Sequence, residues 1–322
     1  MLDTIEELFA ALHARVFETG VLPALHALGF GGYAELAFDA TEVFLIGAIE
    51  ITLLALVLGT LERWRPLEAQ VEEDKRVDMI YTMLQRLGLI PLMLFILLRP
   101  LVDGIDGWLR MHDIVPWKLE DALPALNDSP LLSFVVYLVI LDFVAYWLHR
   151  AQHRFAFWWA LHSLHHSQRS MSFWTDDRNH LFDTVLTDAV FAGVALLIGV
   201  PPAAFVTIVV ATRVAESFAH ANLKVHFGRI GNYLLVSPRF HRMHHAIGFG
   251  HEGAARGCNF AVLFPIWDVW FGTAVFADTY PKTGIRDQLD GVEYGHGYWA
   301  QQWFGAQRFM RSLMLKTKAG NA

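Results

Sequence analysis

The sequence predicts an all-α integral membrane bundle of about four spanning or re-entrant helices, with a cytoplasmic, histidine-rich helical cap. Three observations predict this fold. Hydrophobic residues make up 54% of the 322 residues and charged residues only 18%, whereas about a quarter of a soluble domain is charged. Several apolar segments approach the roughly 20 residues that a spanning helix needs. Dense histidine clusters follow the later apolar segments.

The apolar segments are justified in chain order. Residues 43–61 form the first, and residues 87–102 form a second whose prolines kink or bound it. Residues 131–149 form a third, which leads directly into a pair of histidines. Residues 185–200 and 203–220 flank two adjacent prolines. They predict a helical hairpin that either spans the membrane twice or enters and leaves on one side.

Charge in the loops predicts the orientation. Lys and Arg concentrate on the cytoplasmic side of a membrane; residues 1–42 hold one of them, residues 62–77 hold four and residues 103–130 hold two. The histidine clusters then lie at the cytoplasmic face, as in a bacterial inner membrane or the endoplasmic reticulum. Glu50 interrupts the first apolar segment, and we expect it to have a structural pairing role. The net charge of −7 argues against a nucleic-acid partner.

Three motifs concentrate histidine at helical spacing. The motifs are HRAQH with His149 and His153, HSLHH with His162, His165 and His166, and HRMHH with His241, His244 and His245. Residues three and four apart share a helix face, so each motif offers two or three imidazoles on one side. Neighbouring residues diverge by about 100° on a helix. One histidine of each adjacent pair can therefore bind one metal ion while the other binds a second.

The residue types limit the choice of metal without deciding it. The single cysteine, Cys258, rules out every Cys-based zinc motif. Imidazole suits Zn, Cu, Fe and Ni. From the residues alone, His180 and His220 could each be a ligand, a group that supports a ligand, or an interface residue.

At these residues the chain resembles a known group. The order and spacing of HRAQH, HSLHH and HRMHH, together with FAHAN (218–222) and NFAVLFPIWDVWFGT (259–273), resemble the fatty acid hydroxylase superfamily, also called the sterol desaturase family, of integral-membrane di-iron oxygenases. The resemblance covers about 131–275. It implies two iron ions that use O2 to oxidise a C–H bond of a lipid. It also implies that the eight motif histidines are iron ligands and that His180 and His220 are additional ligands.

Further expectations concern organisation and supporting residues. We expect N-terminal membrane helices and loops over 1–130, a catalytic region resembling this family over 131–280, and a C-terminal cytoplasmic tail over 281–322. Carboxylates near metal-binding histidines orient them by accepting their N–H groups, and four candidates for this role are Asp142, Asp176, Asp177 and Asp183. No catalytic residue beyond the metal ligands is predicted. Trp158 and Trp159 are interpreted as anchors at the membrane interface.

The predicted chemistry leaves alternatives. Hydroxylation and desaturation share the first hydrogen abstraction, and no residue distinguishes them. We expect the electrons to come from a separate ferredoxin or cytochrome system, because the chain carries no haem-attachment or flavin motif. The alternative function is a membrane-bound zinc-dependent hydrolase, although one zinc needs only three protein ligands. A metal transporter or store is disfavoured, because it would need ionisable ligands deep within the spans.

Overall fold

The computed structural model describes residues 2–115, 117–249, 251 and 257–319, and this part of the chain is α-helical with no strands. The α-helices are α1 (Leu2–Val16), α2 (Leu22–Ala27), α3 (Ala34–Trp64), α4 (Glu72–Arg86), α5 (Leu89–Met111), α6 (Leu119–Ala122), α7 (Ala125–Asp128), α8 (Pro130–Arg154), α9 (Ala156–His166), α10 (Leu181–Ile198), α11 (Pro202–His220), α12 (Gly228–Leu234), α13 (Pro238–His244), α14 (Ile266–Trp270) and α15 (Tyr298–Ala319). A π-helical turn over Phe17–Val21 joins α1 to α2, and short 3-10 turns cover Gly31–Tyr33 and Arg286–Asp290.

Five helical segments in the described residues are long and apolar enough to cross a membrane. They are Thr4–Ala27, Gly31–Trp64, Pro130–Arg154, Leu181–Ile198 and Pro202–His220. The pair α4 and α5, bent by 45°, passes the same test as one broken span. The predicted all-α membrane bundle is therefore confirmed. The first segment was not predicted, because Glu6, Glu7 and Glu18 interrupt its apolar residues.

Arg86, on α4, connects the membrane helices α3 and α11 to the loop that follows the second histidine motif. Its buried guanidinium donates to Glu50 on α3 at 2.7 Å, to Asp176 at 2.7 Å and to Asp177 at 2.6 Å. It also donates to Ser217 on α11 at 2.7 Å. A buried cation needs such compensation, since desolvation of an isolated charge is costly. The structural pairing role expected of Glu50 is therefore confirmed.

Helix α3 approaches the end of α4 very closely. A Cβ at Gly47 would collide with the backbone oxygen of Arg86. Glycine at this position therefore lets α3 bring Glu50 to the guanidinium. C-terminal to Glu50 on α3, Ile51 and Leu54 pack with Phe173 and other apolar side chains. This core holds α3 against the loop that follows the second histidine motif.

The segment expected as a C-terminal tail contains the 22-residue helix α15, which packs along α9. Arg308 donates to the backbone oxygen of Ala160 at 3.3 Å, and Gln302 donates to the hydroxyl of Tyr81 at 3.1 Å. Helix α15 thus covers one side of the helix that carries the HSLHH motif.

Candidate metal centre

Five buried histidines from three helices form the first cluster. Its members are His149 and His153 from α8, His162 and His166 from α9, and His244 from α13. One ligand atom from each lies within 4.8 Å of the ligand atoms of the others. The HRAQH and HSLHH motifs therefore supply four histidines of this cluster, and His244 of the distant HRMHH motif supplies the fifth.

Local backbone structure brings these helices together. The chain is extended at Phe155, so α9 folds back on α8 and the ring centres of His149 and His162 come within 5.1 Å. Ser237 caps the N-terminus of α13, since its hydroxyl accepts a hydrogen bond from the backbone N–H of Phe240 at 3.3 Å. Pro238 follows at the first helical position, where its missing N–H costs nothing. This capped, two-turn helix presents the HRMHH motif.

Four more histidines form the second cluster. They are His165 from α9, His220 at the end of α11, His241 from α13 and His245 just after α13. The Nε2 atom of His220 lies 3.1 Å from Nε2 of His165 and 2.9 Å from Nε2 of His241, and Nε2 of His245 lies 3.2 Å from that of His241. Nitrogen ligands about 2.0–2.1 Å from one metal ion are roughly 2.8–3.4 Å apart, for angles between 90° and the tetrahedral angle. The second cluster therefore has the spacing of a metal-binding set.

The adjacent histidine pairs divide between the two clusters. His165 belongs to the second cluster and His166 to the first, with their rings at 81°. His244 belongs to the first and His245 to the second, with their rings at 85°. This is the division predicted from the angular step of a helix.

Three imidazoles of the first cluster are oriented by a hydrogen bond between Nδ1 and an oxygen atom. The contacts are His149 to the backbone oxygen of Phe260 at 2.9 Å, His244 to the backbone oxygen of Cys258 at 2.7 Å, and His162 to Asp183 at 3.1 Å. Donation from Nδ1 leaves the lone pair on Nε2. In each of the three rings Nε2 is buried without a hydrogen-bond partner. Buried polar atoms are nearly always paired, so this donor set fits a metal ion.

Burial keeps these imidazoles neutral. Loss of solvation and neighbouring histidines hold the pKa of His165, His166, His241 and His245 well below the ordinary value of 6.5. Burial lowers the pKa of His244 to about 3. Neutral imidazole is the form that ligates metals, so the clusters are ready to bind metal at neutral pH.

Comparison with known proteins agrees with this arrangement. Residues 134–273, which carry every histidine of both clusters, match the family model described as fatty acid hydroxylase. This segment belongs to the fatty acid hydroxylase family. The resemblance drawn from the motifs is confirmed.

The fatty acid hydroxylase domain is similar to two kinds of curated protein. An alkylglycerol monooxygenase of Xenopus tropicalis is 29% identical over 148 residues, which are 46% of this chain and 31% of that protein. An alkylglycerol monooxygenase of Caenorhabditis elegans is 30% identical over 50% of this chain and 30% of its own length. An ornithine lipid hydroxylase of Rhizobium tropici is 30% identical over 43% of this chain and 40% of its own. The aligned region thus makes up less than half of each relative. No solved structure matches the chain.

One of the four predicted supporting carboxylates contacts a clustered histidine of the fatty acid hydroxylase domain directly. Asp183 accepts from His162, and its other oxygen accepts from Gln152 at 2.8 Å and from the indole of Trp158 at 2.6 Å. Trp158 therefore donates to a residue that contacts the first cluster, a role that its interpretation as an interface anchor did not include. A signal was available, because Trp158 lies one helical turn before His162 and shares its face. Trp159 stacks on His251 at 3.6 Å.

The other three carboxylates have different partners. Asp142 accepts from the backbone N–H groups of Leu263 and Phe264 and from the indole of Trp267, so it anchors a loop and no histidine. Asp176 and Asp177 are held by Arg86. The nearest approach of either to a cluster is 3.8 Å, from Asp176 to Nδ1 of His220, whose Nδ1 donates instead to the backbone oxygen of Glu216 at 2.8 Å. None of these three carboxylates accepts a hydrogen bond from a clustered histidine, so the prediction that they orient the histidines directly is corrected. Asp142 bonds to a loop, and one oxygen each of Asp176 and Asp177 accepts from Arg86.

His180 lies outside both clusters, so its prediction as a ligand is corrected. Its Nε2 donates to the backbone oxygen of Gln302 at 2.8 Å, and its Nδ1 accepts from the backbone N–H of Phe182 at 3.2 Å. Both ring nitrogens are therefore used, one to dock α15 and one to begin α10. A Cβ at Gly305 would collide with the ring, which confirms the close fit of α15. His220, by contrast, lies at the centre of the second cluster.

A cavity of about 850 Å³ runs from the clusters between α5, α8, α10 and α11. Histidines from both clusters line its inner end, among them His149, His162 and His220. Farther along, its walls include Leu98, Leu141, Phe191, Ile208 and other apolar side chains of the membrane helices. The cavity therefore joins the histidines to a chamber of the size and polarity that suit an apolar ligand.

Proposed function

We propose that the protein is a membrane-bound di-iron oxygenase that uses O2 to hydroxylate or desaturate a C–H bond of a lipid. One observation carries the proposal. Two buried, all-histidine clusters stand side by side at the inner end of a cavity walled by membrane helices. The relatives' printed names, alkylglycerol monooxygenase and ornithine lipid hydroxylase, support a lipid substrate and an oxidation.

The ligand set favours two metal ions. The first cluster contains five histidines and the second contains four. A single catalytic zinc uses only three protein ligands and a water. Iron suits imidazole, and it performs the O2 chemistry that side chains alone cannot. Nothing in the comparisons supports the zinc hydrolase alternative.

When bound, two irons would supply O2 activation and removal of hydrogen from an unactivated C–H bond. The chain's own part is to hold and shield the reacting groups. Asp183 and the backbone oxygens of Phe260 and Cys258 hold the imidazoles in one tautomer and orientation. The apolar cavity excludes water and aligns a lipid with the clusters, which lowers the entropic part of the barrier.

Hydroxylation by this route balances as R–H plus O2 plus two electrons and two protons, giving R–OH and water. We propose that a separate ferredoxin or cytochrome supplies the electrons. The distribution of Lys and Arg in the loops supports a cytoplasmic site, where such a donor can reach the cap.

Metal analysis of the full-length protein tests the proposal. We expect close to two irons per chain after expression with added iron. Replacement of His165 or His166 by Ala should each deplete one cluster, because these neighbours belong to different clusters. His180→Ala is the matched control, since this buried histidine lies outside both clusters. Incubation with membrane lipids, O2 and a reductant should give a product one oxygen heavier or two hydrogens lighter. One zinc, no iron and no such product would overturn the proposal.

A further inference from the structure

Helix α3 extends past the end of α11 on the side of the cap, the part of the chain around the HSLHH and HRMHH motifs. The two helices are joined at one level, because Arg86 donates to Glu50 on α3 and to Ser217 in the last turn of α11. Helix α11 ends at His220, whereas α3 continues from Glu50 to Trp64. At 1.5 Å per residue, this half of α3 reaches roughly 20 Å beyond the level of Arg86.

The exposed face of this half of α3 is uncharged and mostly apolar. Leu53, Leu56 and Val57 are each more than half exposed, while the other face packs against the cap in the core around Phe173. Residues 51–61 include no charged residue. This surface continues the lipid-facing surface of a spanning helix, and an apolar stripe of this kind is unfavourable in water.

Two neighbouring helices change from apolar to charged at the same level. At the end of α3, the guanidinium of Arg65 lies 4.6 Å from the ring centre of the exposed Trp64. Helix α4 ends at Arg86 and runs in the opposite direction. Its exposed Ile80 lies roughly 9 Å beyond Arg86, and its charged residues 72–76 lie roughly 15–20 Å beyond. Tryptophan and basic residues at the end of an apolar helix mark the boundary between membrane and water.

Three other helices of the cap have exposed apolar side chains beside the end of a spanning helix. These side chains are Ile230 and Leu234 on α12, Trp270 on α14, and Trp299, Trp303, Met310 and Met314 on α15. Just before α12, Phe227 stacks on Phe218 of α11, with ring centres 5.9 Å apart. Just after α14, the ring of Phe271 lies 4.9 Å from that of Trp147 in α8. Gln302 of α15 accepts from the first backbone N–H of α10 at 2.8 Å.

A lipid leaflet covers all four apolar surfaces at once. They adjoin four different spanning helices, namely α3, α8, α10 and α11. A twofold dimer buries one self-complementary patch, and a single protein partner likewise covers one side. Exposed tryptophans and aliphatic side chains on short helices beside spanning segments are typical of helices that lie in the membrane interface.

We propose that the cap is embedded in the membrane leaflet on its side of the bilayer, with the end of α3, α12, α14 and α15 in contact with lipid. The second cluster contains His220, the last residue of α11, and therefore lies inside the leaflet. An apolar molecule in that leaflet is then at the level of the clusters without entering water. This inference rests on the membrane fold and does not depend on the proposed oxidation.

The depth of nitroxide labels tests the inference. Leu53→Cys, Val57→Cys and Trp303→Cys are made singly in the full-length protein, labelled and reconstituted in liposomes. EPR measures the accessibility of each label to O2, which concentrates in lipid, and to a water-soluble nickel chelate. The native thiol, Cys258, is buried, and the unsubstituted protein shows whether it stays unlabelled. We expect lipid-type accessibility at all three positions, with Leu53→Cys deeper than Val57→Cys by roughly 6 Å, the rise of four residues.

Glu73→Cys is the water-side control, because Glu73 is exposed at the charged start of α4. The same water-type accessibility at Val57→Cys and Trp303→Cys would overturn the inference. Spin–spin broadening with protection from both reagents would also overturn it, since that result indicates contact between two copies of the chain. The labels report depth without substrate or turnover. Failure of this inference is therefore seen in label depth, whereas failure of the oxygenase function is seen in metal content and product.

Discussion

Asp183 is the most informative residue to change, because it joins one histidine of the first cluster to two other donors. Its two oxygens accept from His162 at 3.1 Å, Gln152 at 2.8 Å and Trp158 at 2.6 Å. Asp183→Asn replaces one acceptor oxygen by an NH2 donor. If the NH2 faces His162, the imidazole must accept at Nδ1 and carry its proton on Nε2, the atom that faces the cluster.

The magnitude follows from that change of tautomer. Loss of a group that orients a metal ligand typically lowers metal affinity 10- to 100-fold, which corresponds to about 1.4–2.7 kcal/mol. The effect should fall on the first cluster, because His162 belongs to it. The second cluster should retain its affinity.

The assay is metal titration of equal amounts of folded protein, with Asp142→Asn as the matched control. Asp142 is equally buried and also accepts three N–H donors, from Leu263, Phe264 and Trp267, but it contacts no histidine. Its loop keeps a second anchor in Asp268, which accepts from Phe260 at 2.8 Å. The control should lose stability and keep both metals. Wild-type affinity in Asp183→Asn, or an equal loss of metal in Asp142→Asn, would refute the reasoning.

Three further predictions follow from the same contacts. His180→Ala should leave the metal content unchanged and expose α15 to limited proteolysis, because His180 holds Gln302; loss of metal would contradict this. Arg86→Gln should lower the free energy of unfolding by about 3–5 kcal/mol, since three buried carboxylates lose their cation, whereas Arg99→Gln, in an exposed pair, should cost no more than about 1 kcal/mol; chemical denaturation of both variants measures the difference. The metal-free protein should lose stability as the pH falls below 6.5, because unfolded histidines take up protons there while burial holds the folded pKa of His244 at about 3. An unfolding midpoint that does not change between about pH 7.5 and about pH 5 would count against it.

The sequence by itself determined the helical membrane fold and most of the histidines that form the two clusters. Both follow from local periodicity. Long apolar runs must become helices in a bilayer, because no other backbone satisfies its own hydrogen bonds there. The HxxHH spacing puts three imidazoles on one face and turns the neighbouring histidine toward a second site. The split of His165 from His166 and of His244 from His245 could therefore be predicted without coordinates.

Only the tertiary structure decided which isolated residues join the site. His180 and His220 both stand at a helix end, and sequence gave no means to rank them. His220 meets α13 and enters the second cluster, whereas His180 meets α15 and uses both ring nitrogens there. Asp142 and Asp183 both lie in spanning helices, yet only Asp183 faces a histidine. These outcomes depend on contacts between residues that are far apart in the chain, 21 positions for His220 with His241 and 122 for His180 with Gln302. Local periodicity carries no information about such contacts.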